Sequence, residues 1–397
     1  MNQTPTSDRI HIGIFGRRNA GKSSILNALT GQNMAIVSDI KGTTTDPVSK
    51  AMELLPLGPV VMIDTPGIDD DGPLGKLRVQ KSYQVLNKTD IALLVADART
   101  GLTVEEKSLL AKISEKKIPY VIAFNKSDLS GKSVVAERQQ DILDVRGTSI
   151  TVSAATGENI HELKELLASL KPHEEKRRII GDFLKPNDFV VLVVPIDKAA
   201  PKGRLILPQQ QTIRDILDAK ATAIVVQETE LADTLRNLGR APRMVVTDSQ
   251  VFEKVAAIVP KEIPLTSFSI LFARYKGELE AFYEGIRAVE QLKDGDQVLI
   301  CEGCTHHRQC GDIGTQKIPQ WMEAHTGKKL VFSFTSGVEF PENLEPYRLI
   351  VHCGGCMLNQ REMKYRIACA KDSGVPITNY GMIIAYMKGI LIWEGIF

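Results

Sequence analysis

The chain has 397 residues, of which 43% are hydrophobic and 24% are charged, and its formal net charge is +1. This length exceeds that of one ordinary domain, and the composition is typical of a globular protein with apolar cores. The balanced charge argues weakly against nucleic acid as the main partner. Apolar runs are far shorter than the roughly 20 residues of a membrane span, and the polar first ten residues do not resemble a signal peptide. We therefore expect a cytoplasmic protein with no membrane segment.

Short apolar strands and amphipathic helices alternate through about the first 170 residues. The predicted strands are 10–15, 60–64, 91–96, 120–125 and 149–152, and the predicted helices include 23–29 and 105–116. This alternation predicts a parallel sheet covered by helices on both faces.

Two further α/β blocks follow. Around 180–265 the predicted strands are 189–195, 223–226 and 244–246, with helices near 211–219, 230–238 and 249–258. The last block is expected to start with one helix over 270–292, followed by strands 297–300, 329–334 and 348–351 and by a helix over 359–372. The charged stretch 171–178 resembles a linker. The predicted domains are 1–172, 178–265 and 266–397, and the middle one is expected to serve packing or dimerisation.

Residues 16–23 (GRRNAGKS) match the phosphate-binding loop G-x-x-x-x-G-K-[ST] between a predicted strand and a predicted helix. Its backbone amides and the following helix N-terminus suit the β-phosphate of a nucleotide. Lys22 is expected to contact the β- and γ-phosphates, and the Ser23 hydroxyl to hold Mg²⁺.

Three further segments have the spacing of a guanine-nucleotide site. Residues 64–67 (DTPG) place Asp64 near Mg²⁺ and the Gly67 amide near the γ-phosphate, and residues 125–128 (NKSD) supply a carboxylate that accepts hydrogen bonds from guanine N1 and N2. Residues 153–155 fit the loop that contacts guanine O6, and Thr44 is the expected second Mg²⁺ hydroxyl. The expected nucleotide contacts are Gly16, Asn19, Gly21, Lys22, Ser23, Ser24, Asn125, Lys126, Asp128, Ser153 and Ala154; hydrolysis is expected to involve Lys22, Thr44, Asp64 and Gly67.

This block resembles the translation-factor branch of GTPases, especially its tRNA-modification and ribosome-assembly members. Ile68 stands where small signalling GTPases carry a water-orienting glutamine, so slow intrinsic hydrolysis is expected. Asn19 occupies the position at which potassium-activated relatives have an asparagine that coordinates K⁺. The resemblance therefore implies a regulatory GTPase stimulated by K⁺.

All six cysteines lie between positions 301 and 369, which in a cytosolic protein favours metal binding over disulfides. Two assignments remain open from the residues alone. Cys301, Cys304, Cys353 and Cys356 form two C-x-x-C pairs that could bind structural zinc. Alternatively, the latter three hold a [4Fe–4S] cluster, and the fourth iron is left to His306, His352 or an external ligand.

The pattern from Cys304 and His306 to His352, Cys353 and Cys356 resembles the signature of the HydF family, and the resemblance covers all three blocks. These GTPases are scaffolds for assembly of the FeFe-hydrogenase active-site cluster. The resemblance implies a [4Fe–4S] cluster on the three cysteines, a homodimer, and transfer of a diiron precursor to apo FeFe-hydrogenase in a pathway with radical-SAM maturation enzymes. GTP would gate partner exchange.

Two other functions are kept open. One is a tRNA-modification or ribosome-assembly GTPase with a zinc ribbon, and the other is a redox thiol module, which would leave Cys304 and His306 without a role. Residues outside the pattern are expected to be ordinary buried thiols or surface side chains; these are Cys301, Cys310, Cys369, His307 and His325.

Overall fold

The computed structural model describes residues 5–31, 47–69, 79, 81–129, 147–171, 177–196, 205–303, 312–337, 339–341 and 343–390. The chain forms two compact units, Met1–Glu174 and Glu175–Phe397. Among the helices of these ranges, none has the length and apolar character needed to cross a bilayer. The predicted α/β class is confirmed, with three sheets that are each flanked by helices.

The first unit is built on a six-stranded sheet of order β2-β3-β1-β4-β5-β6. Its elements are β1 Ile10–Phe15, α1 Lys22–Thr30, β2 Val48–Leu54, β3 Gly58–Asp64, β4 Ile91–Asp97, α2 Val104–Glu115, β5 Tyr120–Asn125, β6 Gly147–Thr151 and α3 Ile160–Ser169. Alternate residues of the central strands enter two apolar clusters, one on each face of the sheet. Burial on both faces explains why β1, β4 and β5 consist mainly of apolar residues.

The sheet differs from the prediction at one edge, where β2 pairs antiparallel with β3. Most residues of β2 are exposed, and only its last residue, Leu54, is buried. An edge strand of this kind lacks the continuous apolar run that identifies a buried strand, and so the sequence pattern did not reveal it.

The second unit begins with a four-stranded parallel sheet of order β10-β9-β7-β8. Its elements are β7 Phe189–Val193, α4 Leu207–Asp218, β8 Thr222–Val226, α5 Leu231–Asn237, β9 Met244–Thr247, α6 Phe252–Ala256, β10 Leu265–Ser267 and α7 Phe268–Lys276. The predicted strands and helices of this block are confirmed within a few residues at their ends, and β10 is additional.

The last sheet is also parallel, with order β12-β11-β13-β14. Its elements are α8 Leu279–Ile286, β11 Gln297–Glu302, α9 Ile318–Thr326, β12 Val331–Ser336, β13 Tyr347–His352, α10 Gln360–Asp372, β14 Ile377–Asn379 and α11 Tyr380–Met387. A single apolar cluster contains side chains from both sheets of this unit.

The prediction of one helix over 270–292 was wrong. The segment is divided into α7, α8 and a short 3₁₀ turn over Arg287–Gln291. Gly277 ends α7 in an extended conformation (φ −121°, ψ −149°), and glycine is among the weakest helix formers. The break allows α7 and α8 to pack separately against α11. The proposed domain limits at 172, 178 and 265 stay predictions.

Candidate nucleotide-binding and cysteine sites

The predicted nucleotide residues that the structure describes meet at the carboxyl ends of β1, β3 and β5. In a parallel sheet these ends share one edge, where ligands commonly bind. Residues 16–21 form the loop between β1 and α1, Ser24 lies in the first turn of α1, and Asp64 and Asn125 end β3 and β5. Thr44 lies outside the described residues.

The phosphate-binding loop is closed around Lys22. This side chain is buried, and its Nζ donates to the carbonyl oxygens of Gly16 at 3.0 Å and Arg17 at 2.8 Å. Gly21 has a left-handed backbone (φ +95°), and a Cβ there would lie 2.2 Å from Asn125 Nδ2. Only glycine therefore permits this approach of the loop to β5. The ammonium of Lys22 is placed where phosphate oxygens can replace the carbonyls as its partners.

Ser23 and Asp64 are the members of the predicted magnesium site that the structure describes, and they are in direct contact. Ser23 Oγ donates to Asp64 Oδ2 at 2.9 Å. Burial raises the pKa of Asp64, although the Ser23 hydroxyl and the Lys22 ammonium oppose the shift. Among the described groups, the buried Oδ1 atom of this carboxylate has no hydrogen-bond partner. A hydroxyl beside an orphaned carboxylate oxygen fits Mg²⁺ or one of its waters.

Gly67 lies against the phosphate-binding loop, since a Cβ at this position would come 3.1 Å from Arg18 N. The amide of Arg18 donates to Asp69 Oδ1 at 2.7 Å. The segment after β3 is thus joined directly to the loop that would bind phosphate. Ile68 is buried in one of the two apolar clusters of this unit, so it orients no water.

The predicted guanine-binding residues are linked to one another. Asn125 Nδ2 donates to Ala20 O at 3.0 Å, and its Oδ1 accepts from Ala154 N at 3.0 Å. Ser153 Oγ donates to Asp128 Oδ1 at 2.6 Å. The asparagine therefore fixes two loops relative to each other, and the serine orients the carboxylate expected to read guanine.

Asp97, at the end of β4, was missed by the sequence interpretation. It accepts hydrogen bonds from Arg99 and from Lys126 Nζ (2.9 Å), and Lys126 Nζ also donates to Asn19 O at 2.6 Å. The Arg99 guanidinium holds the pKa of Asp97 well below its usual range, helped by Lys126. An acidic residue directly after a fully apolar strand, at the edge where the other motifs lie, was the available signal.

The described cysteines of the C-terminal pattern lie directly after β13. Cys353 N donates to Cys301 O at 2.9 Å, and Cys353 Sγ accepts hydrogen bonds from Gly303 N at 3.0 Å and Gly355 N at 3.3 Å. Gly355 has a left-handed backbone (φ +63°), and a Cβ there would lie 2.2 Å from Met363. The loop of residues 353–356 is thus packed against Met363, and two backbone amides face the sulfur atom of Cys353. Cys304, His306, His307 and Cys310 lie outside the described residues.

His352 is fully buried behind this loop. Arg366 Nη1 donates to His352 Nε2 at 3.1 Å, so the ring proton is on Nδ1, which donates to Cys353 O at 2.8 Å. Burial and the Arg366 guanidinium lower the pKa of His352 to about 3. The imidazole is therefore neutral, and both of its nitrogens have protein partners.

Arg366 is fully buried, and the sequence interpretation missed it because charged residues on a helix are usually exposed. It forms an ion pair with Glu362 at 2.9 Å, donates to Gly337 O at 2.7 Å, and lies over the Phe340 ring. The whole guanidinium is thus engaged inside the unit that carries the cysteines.

Arg366→Met is expected to lower the free energy of unfolding of the second (C-terminal) unit by about 3–5 kcal/mol, because Glu362 is left buried without its partner. Both tryptophans, Trp321 and Trp393, belong to this unit, so their fluorescence during urea denaturation reports its stability. The matched control is Arg214→Met, which removes an exposed ion pair of the same i,i+4 spacing and should cost less than about 1 kcal/mol. Equal losses in the two variants would contradict a structural role for the buried network.

In the part of the chain that the structure describes, no three or more histidine, cysteine, aspartate or glutamate side chains are grouped closely enough to hold a metal ion. Of the predicted set, the structure describes His352, Cys353 and Cys356, which follow one another at the end of β13, and these three do not form a metal-binding group by themselves. Cys301 is fully buried in β11, where burial raises its pKa to about 12, and Cys369 is half-buried on α10.

Comparison with known proteins identifies all three blocks of the chain. A model described as the hydrogen maturase F tetramerization domain matches residues 280–393, one described as the hydrogen maturase F dimerization domain matches residues 179–277, and a 50S ribosome-binding GTPase model matches residues 11–126. The two maturase models together cover more than half of the chain.

Curated relatives match only the nucleotide-binding part. The tRNA modification GTPase MnmE of Chromobacterium violaceum is 38% identical over 162 residues, which are 41% of this chain and 34% of the relative. MnmE of Lactobacillus helveticus is 40% identical over 159 residues, 40% of this chain and 33% of the relative. The chain thus spans about a third of the length of these relatives.

Among solved structures, Aquifex aeolicus Era bound to GDP·AlF₄⁻ is similar with a TM-score of 0.38 and 20% identity, over 58% of this chain and 98% of Era. The maturase models account for the two blocks that the tRNA modification GTPases do not match. The chain is a GTP-binding and hydrolysing protein that belongs to the hydrogen maturase F (HydF) family.

Proposed function

We propose that this protein is a GTP-dependent scaffold that carries a [4Fe–4S] cluster and transfers a diiron precursor to apo FeFe-hydrogenase. The observation that supports it best is the environment of Cys353, whose sulfur faces two backbone amides in a loop beyond the carboxyl ends of β11 and β13. Hydrogen bonds from amides stabilise thiolate sulfur and are common around iron–sulfur ligands. The family membership supplies the pathway.

Cys304, Cys353 and Cys356 would hold the cluster. Three thiolates leave one iron without a cysteine, and this iron supplies an exchangeable position at which cargo can be bound and released. The buried neutral His352 would support the loop, because its two nitrogens already bond to Arg366 and to Cys353 O. His306 stays a candidate for a transient ligand of that iron.

A structural zinc site on Cys301, Cys304, Cys353 and Cys356 is less well supported. Cys301 lies within the apolar cluster between the sheets of the second unit, whereas the sulfur of Cys353 accepts hydrogen bonds from two backbone amides. A tRNA-modification function is also less well supported, because those relatives match the nucleotide-binding part alone. The redox thiol alternative is less well supported because it leaves Cys304 and His306 without a role.

In the nucleotide site, Lys22 would contact the phosphates, Ser23 and Thr44 would bind Mg²⁺ directly, and Asp64 would accept from a water of the ion. The Gly67 amide would respond to the γ-phosphate, which gives the segment after β3 a different position before and after hydrolysis. No glutamine follows Gly67, and Ile68 is buried. Hydrolysis is therefore expected to be slow, and GTP would gate the exchange of partners.

Potassium would add positive charge beside the phosphates at Asn19. This residue has a left-handed backbone (φ +59°) and an exposed side chain, and Lys126 Nζ fixes its carbonyl oxygen. Asn19→Ala is expected to lower the ratio of the hydrolysis rates in KCl and NaCl to about one, because the ion loses its side-chain ligand. Phosphate release at constant ionic strength measures the ratio, and an unchanged rate in NaCl serves as the control. A ratio equal to that of the wild type would contradict the potassium site.

Partner proposals follow from the family. The maturase models named for dimerization and tetramerization support a homo-oligomer, with the middle block as the dimerisation module. The remaining proposed partners are apo FeFe-hydrogenase and the radical-SAM maturation enzymes, in the cytoplasm.

Metal analysis of the anaerobically purified protein tests the proposal. The scaffold function requires about four iron and four sulfide per chain and a brown colour, as for one [4Fe–4S] cluster. Activation of apo-hydrogenase by the loaded protein, read as hydrogen evolution, tests transfer. A colourless protein with one zinc per chain would refute the cluster and favour the zinc alternative.

A further inference from the structure

Helix α7 lies along the cysteine loop and contacts it near both ends. At its start, a Cβ added to Gly354 would lie 3.3 Å from Ser269 Cα, and Ser269 Oγ bonds to Asn379 at the end of β14. At its end, Lys276 Nζ donates to Cys356 O at 2.8 Å and to Leu358 O at 2.7 Å. One short helix therefore supports the loop that contains Cys353 and Cys356, although it lies about 80 residues earlier in the chain.

Lys276 is an unusual residue in this position because it is only 2% exposed. Moving an ammonium group out of water costs several kcal/mol, and fully buried lysines are rare. Its two carbonyl partners belong to the segment that directly follows the C-x-x-C motif. A cluster bound by three thiolates has a net negative charge, which becomes more negative on reduction. A fixed positive charge beside the loop would favour the cluster, and its reduced form most.

We propose that Lys276 is a positioning residue for the iron–sulfur cluster, with two separable effects. Its hydrogen bonds fix the backbone at Cys356, and its charge raises the reduction potential. Because α7 belongs to the segment matched by the dimerization model, the same contact joins that segment to the cysteine loop. This inference rests on the proposed cluster, and the test distinguishes a failure of the role of Lys276 from a failure of the cluster proposal.

The test compares wild type, Lys276→Met and Lys276→Gln after anaerobic reconstitution with iron and sulfide. Both replacements are one atom shorter than lysine: methionine removes both the donors and the charge, whereas glutamine keeps an amide donor without the charge. Two quantities are measured: the midpoint potential in an EPR-monitored titration, and the rate at which a ferrous chelator removes iron. Lys371→Met, on the exposed side of α10, is the matched control.

The methionine variant is expected to lose iron about tenfold faster and to have a more negative midpoint potential. The glutamine variant should show the same negative shift with iron loss close to that of the wild type, and Lys371→Met should change neither quantity. Tryptophan fluorescence during urea denaturation of the apo-proteins shows whether the C-terminal unit is folded; if the methionine variant is unfolded, the potential of the glutamine variant decides.

A cluster-bearing wild type with unchanged potential and iron loss in the variants would overturn the role of Lys276 and leave the proposed function intact. A wild type that binds no cluster would overturn both. If only the glutamine variant had the same midpoint potential as the wild type, the proposed effect of the charge on the potential would be overturned.

Discussion

Replacing Lys22 with alanine is expected to reduce kcat/KM for GTP hydrolysis at least about 100-fold while the iron content stays unchanged. The buried ammonium lies between the carbonyl oxygens of Gly16 and Arg17, where phosphate oxygens would take their place. A preorganised donor to charge that develops in a transition state contributes about 3–4 kcal/mol, or a factor of 10²–10³. Phosphate release at several GTP concentrations measures the loss, and iron and sulfide assays measure the cluster.

Lys107→Ala is the matched control for this experiment. Lys107 is an exposed lysine on α2 of the same unit, so its loss should leave both the hydrolysis rate and the iron content unchanged. The cysteines belong to the other compact unit. Retention of iron in Lys22→Ala would therefore agree with two independent sites. Iron lost together with GTP hydrolysis would instead show that nucleotide binding is needed to keep the cluster, which would contradict our separation of the two.

Strands buried on both faces were predicted well because nothing in their sequence competes with the apolar pattern. The predicted limits of β1 and β5 agree with the structure residue for residue, since every residue of both strands is buried. Strands with weaker sequence signals were missed, and one helix prediction was wrong. The exposed edge strand β2 lacks an apolar run, and β14 has only three residues. The long helix prediction failed because its amphipathic pattern continues across Gly277, where the backbone becomes extended.

In the two sites, residues within one contiguous motif were predicted, whereas residues that reach the site from a distant segment were missed. The phosphate-binding loop and the C-x-x-C motif could be predicted because each is a short segment whose chemistry depends on its own spacing. Asp97 reaches Lys126 from another strand end, and Lys276 reaches Cys356 from 80 residues away. Such residues carry a charge that a sequence pattern assigns to the surface. Only the packed structure shows that these charges are buried or paired within the two sites.

Cys353→Ser is the second change with a large expected effect: it should abolish cluster binding. Two backbone amides donate hydrogen bonds to the sulfur of Cys353. The substitution puts an alcohol in place of the thiolate, and an alcohol ionises poorly and binds iron weakly. The reconstituted wild type should give a fast-relaxing S = 1/2 signal in low-temperature EPR after reduction with dithionite. The variant should give no such signal and should contain little iron, while its GTP hydrolysis stays at the wild-type rate.

Cys369→Ser is the control that makes this result specific. Cys369 is a half-buried thiol on α10 outside the C-x-x-C motif, so its replacement should preserve both the EPR signal and the iron content. Fluorescence-detected unfolding of the three apo-proteins excludes loss of the fold as the cause. If Cys353→Ser kept the signal, this cysteine would not be a ligand. If the wild type were EPR-silent and contained zinc, the chain would be a GTPase with a structural cysteine site, and transfer of a diiron precursor would lose its basis.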